Sequence, residues 1–294
     1  MKIIPYGTQK YAPPCILLLG YFDAMHVGHR ALAARAKEVA AGAGLRVGIM
    51  TFTGAKNGGQ VFVYEERLTI FRKLGLDFVY PADFSDPAFR SLSGEAFLRH
   101  VLSQLNVKAF VCGEDFTYGR DAECGAKELR RFGEENGIDV YVEPLVCPGG
   151  EKAASAEAKA LLDRGDIPAL EKLLGGRYFI EGKVSTEGRH VGSRIGFPTA
   201  NIHLSAQKYP LREGVYAVSA KIGRKVYRGI ANYGDRPTFG DGRVIFETYF
   251  LGYKGDLYGK ELTVYFDFFI REIQKFQSAG ELAAQLKKDL EKIQ

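Results

Sequence analysis

The hydrophobic pattern changes in character along the chain, and this change constrains the fold more than any other feature of the sequence. Residues 1–147 alternate short apolar runs with amphipathic stretches, whereas residues from 178 onward carry frequent short apolar runs between Gly-rich turns. Alternating strands and helices are typical of a doubly wound parallel sheet. Closely spaced short strands are typical of a sandwich or a small barrel. A chain of 294 residues exceeds what one core usually organises, so we expect two domains.

The elements predicted from this pattern fall into two sets. The first set comprises strands at residues 15–19, 45–52, 78–80, 109–112 and 140–142, with helices at 29–41, 64–74, 94–105 and 126–136. The second set comprises strands at residues 177–184, 214–222, 226–232, 244–251 and 261–269. An Ala- and Leu-rich stretch at residues 152–176 predicts one or two connecting helices. Ser278 and Glu281 have capping-box spacing before an apolar stripe, which predicts a C-terminal helix. We expect the domains to be residues 1–165 and 166–294.

Composition and charge narrow the classes of function. No apolar run approaches the roughly 18 residues of a membrane span, and the N-terminus lacks the features of a signal peptide. Four cysteines without CxxC spacing indicate thiols in a reducing cytoplasm. The net charge of +5 lies in residues 151–294 and is dispersed. It favours an anionic small ligand and neither nucleic acid nor membrane as a partner; it leaves the oligomeric state open.

The segment GRHVGSRIGFPTAN at residues 188–201 concentrates the features of a phosphate site. Gly188, Gly192 and Gly196 recur every four residues, and glycine lets the backbone approach a ligand closely. Arg189 and Arg194 add positive charge. Residues 199 and 201 offer oxygen ligands on one face of an extended segment. A Gly-rich turn without function remains the alternative, but the pattern favours a phosphate cradle beside a hard-metal site.

The GFPTAN string resembles the signature of the riboflavin kinase family. Similar blocks follow in order: GIANYGDRPTFG at 229–240, FETYFL at 246–251, GDLYGK at 255–260 and FIREIQKF at 269–276. The resemblance implies that Thr199 and Asn201 hold the Mg²⁺ of MgATP and that Glu247 is the catalytic carboxylate. It also implies that Arg271 and Phe276 lie near the flavin. Glu247 as a solvent-facing residue and Arg271 as a surface ion-pair partner are the alternatives.

A second constellation reads GYFDAMHVGH at residues 20–29, between an apolar strand and a helix predicted to start near residue 29. Helix N-termini attract phosphate, and imidazoles can donate hydrogen bonds to phosphate oxygens. The string resembles the nucleotidyltransferase superfamily, which implies that His26 and His29 are catalytic and that Gly20, Phe22 and Gly28 bind ATP. Two histidines with only a packing role are the alternative.

VCGEDFTYGR at residues 111–120 is similar to a further loop of that family and implies flavin binding by Asp115 and Phe116. The whole chain thus resembles the bacterial bifunctional riboflavin kinase and FMN adenylyltransferase family. That likeness implies an α/β nucleotidyltransferase-like domain, a small all-β barrel with a C-terminal helix, and riboflavin, FMN, FAD, ATP and Mg²⁺ as substrates, products or cofactor.

The chain departs from the family pattern in its first half. Residues 54–56 replace a Pro-His-Pro, and Tyr21 and Ala24 stand where Asn and Gly are usual. Glu157 and Lys159 occupy the two arginine positions of the family motif S-S-T-R-I-R, with Arg164 or Lys152 as possible substitutes. A glutamate in place of an arginine removes a bidentate donor and adds a repelling charge.

From these departures we expect riboflavin phosphorylation with weak FMN adenylylation. Two alternatives are a monofunctional kinase whose first domain only binds nucleotide or flavin, and a flavin-sensing regulator without turnover.

Overall fold

The computed structural model describes residues 1–7, 10–54, 58–144, 154–186, 199–235 and 244–293, and these ranges form two compact units. The first unit is Met1–Ser155 and the second is Ala156–Gln294. Within the described ranges, no helix combines the length and the apolar character needed to cross a membrane. The predicted strands and helices are present in both units.

The first unit is built on a six-stranded sheet in which every neighbouring pair is parallel. Its order is β1-β4-β3-β2-β5-β8. The strands are β1 (Lys2–Ile3), β2 (Tyr11–Leu19), β3 (Arg46–Phe52), β4 (Phe78–Ala82), β5 (Leu105–Gly113) and β8 (Asp139–Glu143). A short hairpin pairs β6 (Thr117–Tyr118) with β7 (Cys124–Gly125). The expectation of a doubly wound parallel sheet is confirmed.

Helices connect these strands, as parallel pairing requires. They are α1 (Val27–Ala43), α2 (Tyr64–Lys73), α3 (Pro87–Arg90), α4 (Gly94–Gln104) and α5 (Ala126–Asn136). The central strand β2 ends in five buried residues, 15–19, because connecting helices cover both faces of a parallel sheet. The chain order reverses at β2, whose neighbours are β3 and β5. Loops at the carboxyl ends of strands beside such a reversal commonly bind ligands.

The two predicted connecting helices are α6 (Ser155–Arg164), which begins at the last residue of the first unit, and α7 (Ile167–Leu174) in the second unit. An antiparallel sheet follows, in the order β10-β13-β12-β11-β14-β9. Its strands are β9 (Phe179–Lys183), β10 (Thr199–Ile202), β11 (Gly214–Ile222), β12 (Lys225–Asp235), β13 (Val244–Phe250) and β14 (Glu261–Arg271). A bridge between Val184 and Ile202 joins the two ends of this sheet. The backbone N–H of Ser185 also donates to the carbonyl of Asn201 at 2.7 Å. These contacts close the sheet into a barrel, so of the two architectures expected from the pattern the barrel is the correct one.

The C-terminal helix α8 (Ala279–Glu291) packs against one face of this sheet. Ser278 caps it, because the Ser278 hydroxyl accepts the backbone N–H of Glu281 at 3.2 Å. Two apolar side chains of its C-terminal half and one just beyond its end contact the sheet residues Val215, Ala217 and Ile230; they are Leu286, Leu290 and Ile293. The capping residue and the apolar stripe predicted from the sequence are both confirmed.

Candidate functional site

A row of polar side chains crosses three strands of the barrel. Strand register places Asn201 of β10 opposite Glu247 of β13, and Glu247 opposite Asn232 of β12. Directly opposite residues of antiparallel strands project from the same face, so the three side chains share one surface. Thr199 lies two residues before Asn201 and therefore points to that surface as well.

The side chains in this row place several oxygen atoms close together. The Thr199 hydroxyl donates to Glu247 Oε1 at 2.5 Å. The Oδ1 atom of Asn201 is buried, and within the described ranges it has no hydrogen-bond partner. Buried polar atoms normally have one, so this oxygen is available to a ligand. The residues predicted as metal ligands and as catalytic carboxylate thus lie together on one face.

Arg271 and Phe276 also lie close to each other, with the guanidinium 5.8 Å from the centre of the Phe276 ring. Arg271 forms an ion pair with Asp289 of α8 at 2.8 Å, and its side chain is 12% exposed. It is therefore an ion-pair partner, as the alternative interpretation held, although a partly buried one. Four residues predicted to bind ATP lie outside the described residues; they are Gly188, Arg189, Gly192 and Gly196.

A cavity of about 870 Å³ lies in the first unit at the carboxyl ends of its parallel strands. Residues at or just beyond the ends of β2, β3 and β5 line it, including Leu19, Phe52 and Gly113. Its position matches the ligand crevice expected beside a reversal in strand order. The described residues of the first unit thus provide a ligand-sized space.

His26 and His29 both line this cavity, and their rings stack with centroids 3.7 Å apart. His26 is the N-cap of α1: its side chain accepts the backbone N–H of His29 at 3.3 Å. Helix α1 therefore begins at Val27, so His29 lies inside its first turn and not before it. The Nδ1 atom of His29 is buried without a hydrogen-bond partner among the described residues.

Burial governs the charge of both imidazoles. It lowers the pKa of His26 to about 4, although the nearby Asp115 carboxylate acts in the opposite direction. Burial also places the pKa of His29 well below its ordinary value, and the proximity of His26 lowers it further. Both rings are thus neutral at pH 7 in the ligand-free protein, and each retains one N–H that can donate to an anion.

The loop between β2 and α1 has a strained backbone. Phe22 and Met25 have positive φ values of 57° and 45°, which are uncommon outside glycine and often mark functional loops. Gly20 and Phe22 line the cavity. A Cβ atom on Gly20 would lie 3.0 Å from the Phe22 ring, which explains the glycine. Gly28 is buried in the first turn of α1, and the part of the cavity wall that the structure describes does not include it.

A buried arginine that the sequence analysis missed supports this loop. Arg67 of α2 is 0% exposed. It donates to the Tyr21 carbonyl at 2.9 Å, the Thr51 hydroxyl at 2.5 Å and the Phe52 carbonyl at 2.6 Å. Thr51 and Phe52 are the last two residues of β3, and Tyr21 lies two residues beyond the end of β2. Arg67 thus ties together two of the loops that surround the cavity.

Aromatic rings form one wall of the cavity. Phe52 and Phe84 stack with centroids 3.8 Å apart, and Phe89 meets Phe84 edge-on at 5.8 Å. Asp115 and Phe116, predicted to contact flavin, also line the space. The wall suits a planar aromatic ligand, since ring stacking adds to the burial of apolar area.

Glu157 has a different position from the one that the family motif suggested. Ala154 and Ser155 line the cavity, whereas Glu157 is absent from the part of its wall that the structure describes. The Glu157 carboxylate pairs with Arg164 of the same helix at 3.1 Å, and both side chains are about half exposed. The expectation that Glu157 weakens adenylyl transfer therefore finds no support in this geometry. Lys152, one suggested substitute, lies outside the described residues.

The sequence carries a signal for one of the two site residues that the analysis missed. Asp289 occupies a position on the apolar stripe of α8, three residues after Leu286 and four before Ile293. A carboxylate on an apolar stripe predicts a buried partner, and that partner is Arg271. Asn232 alternates with the buried residues Ala231 and Tyr233 along β12, but only the register with β13 reveals its neighbour.

Comparisons with known proteins agree with this division. A family model described as FAD synthetase matches residues 8–157, and one described as riboflavin kinase matches residues 174–294. A bifunctional riboflavin kinase/FMN adenylyltransferase of Escherichia coli K12 is 34% identical over 292 residues, covering 96% of this chain and 92% of the relative. The protein of the same description from Bacillus subtilis is 32% identical, covering 93% and 90%.

A solved structure resembles the whole chain as well. The crystal structure described as that of a macrolide-efflux protein from Streptococcus pneumoniae superposes with a TM-score of 0.84 at 29% identity, covering 99% of this chain and 98% of that one. This likeness supports the fold. Taken with the two family-model matches and relatives of at least 30% identity over nearly the full length, it leads to one conclusion: the chain belongs to the family of bifunctional riboflavin kinase/FMN adenylyltransferase proteins.

Proposed function

We propose that the second unit phosphorylates riboflavin to FMN with ATP as the phosphoryl donor. The observation that carries this proposal is the joint placement of Thr199, Asn201 and Glu247, in which the Thr199 hydroxyl already donates to the Glu247 carboxylate. A carboxylate in reach of a substrate hydroxyl can serve as a general base, and the neighbouring neutral oxygens suit the Mg²⁺ that accompanies ATP.

Glu247 takes the proton of the ribityl 5′-hydroxyl as the oxygen attacks the γ-phosphorus of ATP. The new O–P bond forms while the bond from the γ-phosphorus to the bridging oxygen breaks, and ADP leaves. Positioning and electrostatics supply most of the rate acceleration in such transfers. The Thr199 hydroxyl orients Glu247 in this step, because it engages one carboxylate oxygen and leaves the other to the substrate.

Oxygen ligands at the row fit a magnesium ion. Thr199 can donate to Glu247 and still offer a lone pair, and Asn201 Oδ1 is buried without a partner in the described part of the chain. Mg²⁺ uses few protein oxygens together with substrate phosphates and water. When bound, the ion would neutralise phosphate charge, with Thr199 and Asn201 as its protein ligands. Gly188, Arg189, Gly192 and Gly196 remain our proposal for the phosphate cradle.

Chromatography of the products from riboflavin and MgATP tests this function. The wild-type protein should form FMN, and Asn201→Ala should abolish its magnesium-dependent formation. Glu261→Gln is a matched control, because it changes an exposed glutamate of β14 and should leave FMN formation unchanged. A protein that binds riboflavin and MgATP without forming FMN would instead be a flavin-binding regulator.

A specific observation supports a second activity, the adenylylation of FMN to FAD in the first unit. The neutral pair His26 and His29 faces a cavity of about 870 Å³ at a helix N-terminus. An FMN phosphate oxygen would attack the α-phosphorus of ATP, and pyrophosphate would leave. His26 and His29 would donate to the phosphate oxygens where negative charge develops, with Gly20 and Phe22 beside them and Gly28 in the helix turn between them.

The aromatic wall and the residues Asp115 and Phe116 would hold the flavin of FMN in this cavity. The assay supplies FMN and MgATP and separates FAD from FMN, so that it is independent of the kinase. FAD and pyrophosphate in equal amounts are expected. FMN formation without any FAD formation would leave the monofunctional kinase as the correct description.

The proposal also covers the domain boundary, the cellular location and the partners of the chain. Residues 1–165 would form the nucleotidyltransferase domain and residues 166–294 the kinase domain, in a cytoplasmic protein whose partners are flavins and adenine nucleotides. Expression of residues 1–165 and of residues 166–294 as separate chains tests this division, since each fragment should retain its own activity.

A further inference from the structure

Arg271 of the barrel reaches its position through an irregularity in strand pairing. On β11, Tyr216 lies opposite Phe269, whereas the preceding residue Val215 lies opposite Arg271. One extra residue, Ile270, is therefore inserted in β14. Such bulges redirect side chains and are common beside active sites. Here the bulge brings Arg271 to the same face as Val215 while Ile270 still packs with the apolar cluster below α8.

The row of polar side chains formed by Asn201, Glu247 and Asn232 lies on the same face. Val215 lies opposite Asn232, and Asn232 lies opposite Glu247. Arg271 therefore stands on this face three strand positions from Glu247, or roughly 14 Å of sheet. The ribityl chain of riboflavin separates its terminal hydroxyl from its ring, so a flavin whose hydroxyl is at Glu247 carries its ring well away from that residue.

Asp289 of α8 fixes the guanidinium at this place. Arg271 Nε donates to Asp289 Oδ1 at 3.1 Å and to Oδ2 at 2.9 Å, and an Nη2 hydrogen donates to Oδ2 at 2.8 Å. Asp289 is 0% exposed, and Gln285 Nε2 donates to its Oδ1 atom at 2.8 Å. A planar guanidinium held on one edge by a carboxylate has little freedom to rotate.

The remaining contacts leave part of the guanidinium for a ligand. One Nη1 hydrogen donates to the carbonyl of Glu272 at 2.9 Å, and the Phe276 ring lies 5.8 Å from the guanidinium carbon. Arginine has five N–H donors, and the bonds in the described ranges use three of them. Phe276 offers a neighbouring aromatic surface, so donors and ring stacking are available together.

We propose that Asp289 is a positioning residue for riboflavin: through its ion pair it holds Arg271 in the orientation that recognises the flavin ring. This inference rests on the proposed kinase function of the second unit. It predicts that Asp289 acts on the affinity for flavin and not on the transfer step at Glu247.

The test measures riboflavin binding by quenching of flavin fluorescence, alongside kcat and KM for FMN formation, in the 294-residue chain. In Asp289→Asn the Kd of riboflavin should rise by about 10- to 100-fold, the change expected when a charge-assisted hydrogen bond is lost. The kcat and the KM for ATP should stay within about threefold, since the variant leaves the groups around Glu247 unchanged. Arg271→Gln should give a similar rise, and the double variant should add little to either, because the two residues act as one unit.

Two further variants separate positioning from stability. Leu290→Ala weakens the packing of α8 without touching the ion pair, so it should lower the free energy of unfolding and leave the Kd of riboflavin unchanged. Gln285→Met keeps both charges and removes one hydrogen bond to Asp289, so it should fold even where Asp289→Asn does not. We expect a rise of about 3- to 10-fold in the Kd of riboflavin for Gln285→Met.

A wild-type Kd in folded Asp289→Asn, or in Gln285→Met if the first variant fails to fold, would overturn the inference. Additive effects of Asp289→Asn and Arg271→Gln would overturn it as well, because Asp289 would then act independently of Arg271. Failure of the wild-type protein to form FMN would reject the kinase function instead, and the binding measurements would still be decisive for Asp289.

Discussion

The two units build their candidate sites by different means. In the first unit the histidines are three residues apart on one helix turn, at the end of a parallel strand. In the second unit Thr199 and Glu247 are 48 residues apart and meet only through strand pairing. The histidine pair is therefore local in sequence, whereas the barrel site depends on the register of three antiparallel strands.

This difference determines what each site can tolerate. The loop of the first unit needs a strained backbone at Phe22 and Met25 and the buried donors of Arg67. The barrel site needs no unusual backbone at Glu247, but a slip of one residue in β13 would turn that carboxylate to the opposite face. A change in one unit should leave the chemistry of the other intact.

The largest effect is expected for Glu247→Gln. This change removes the base but keeps the size of the side chain, so the kcat for FMN formation should fall by about 100- to 10,000-fold. Riboflavin binding should persist, and FAD formation from supplied FMN should be unchanged. Both rates can be measured on one preparation by chromatography. Turnover like that of the wild type would remove Glu247 from the mechanism.

His26→Asn should reverse this pattern. Asparagine is a good N-cap, so helix α1 keeps its start while the imidazole donor is lost. We expect FAD formation to fall by about 100-fold or more, the loss typical of one preorganised donor, with FMN formation serving as the internal control. An unaffected rate of FAD formation would make the histidine loop structural.

The difference between the two units also determines how far the sequence could predict the fold. Alternation of strands and helices predicted the parallel sheet, because apolar periodicity is a local property. The apolar pattern alone left open whether the second half forms a sandwich or a barrel, since closure depends on the pairing of Val184 with Ile202, which no local pattern encodes. The family resemblance implied the barrel. The two-residue strand β1 was not predicted, because it is defined only by its pairing with the distant strand β4.

The site residues likewise divide into those that short motifs identify and those that only long-range contacts identify. Motifs identified His26, His29, Thr199, Asn201 and Glu247, because each lies within a short string with a recognisable spacing. Arg67 and Asp289 went unrecognised, since their roles arise from partners on other elements. The roles assigned to these residues remain predictions, as does the domain boundary after residue 165.

A smaller effect is expected in the pH dependence of stability. Burial lowers the pKa of His26 to about 4 in the folded protein, against the opposing influence of Asp115. The unfolded chain, with an ordinary pKa near 6.5, therefore binds the proton first as the pH falls. Stability is full above about pH 6.5 and is lost as the pH falls toward 4.

His26 alone should thus cost the first unit about 2 kcal/mol between pH 7 and pH 5, to which the buried His29 adds a loss in the same direction. Hydrogen exchange of the β2 and β5 amides measures the loss within this unit. His26→Asn should reduce the pH dependence, and His203→Asn, which changes an exposed histidine of the second unit, should not. An equal slope in His26→Asn would mean that burial does not lower the pKa of His26 in the folded protein.

The smallest effect is expected at Glu157, where the motif and the geometry give opposite predictions. If Glu157 repelled the triphosphate, Glu157→Arg would raise FAD formation by supplying a bidentate donor. In the structure the carboxylate is half exposed and pairs with Arg164, and such surface pairs contribute little. Glu157→Ala and Glu157→Arg should therefore change FAD formation by no more than about twofold, with Lys159→Ala as a test of the second motif position. A tenfold rise in Glu157→Arg would restore the motif-based interpretation, because it would show that the substitution reaches the bound nucleotide during the reaction.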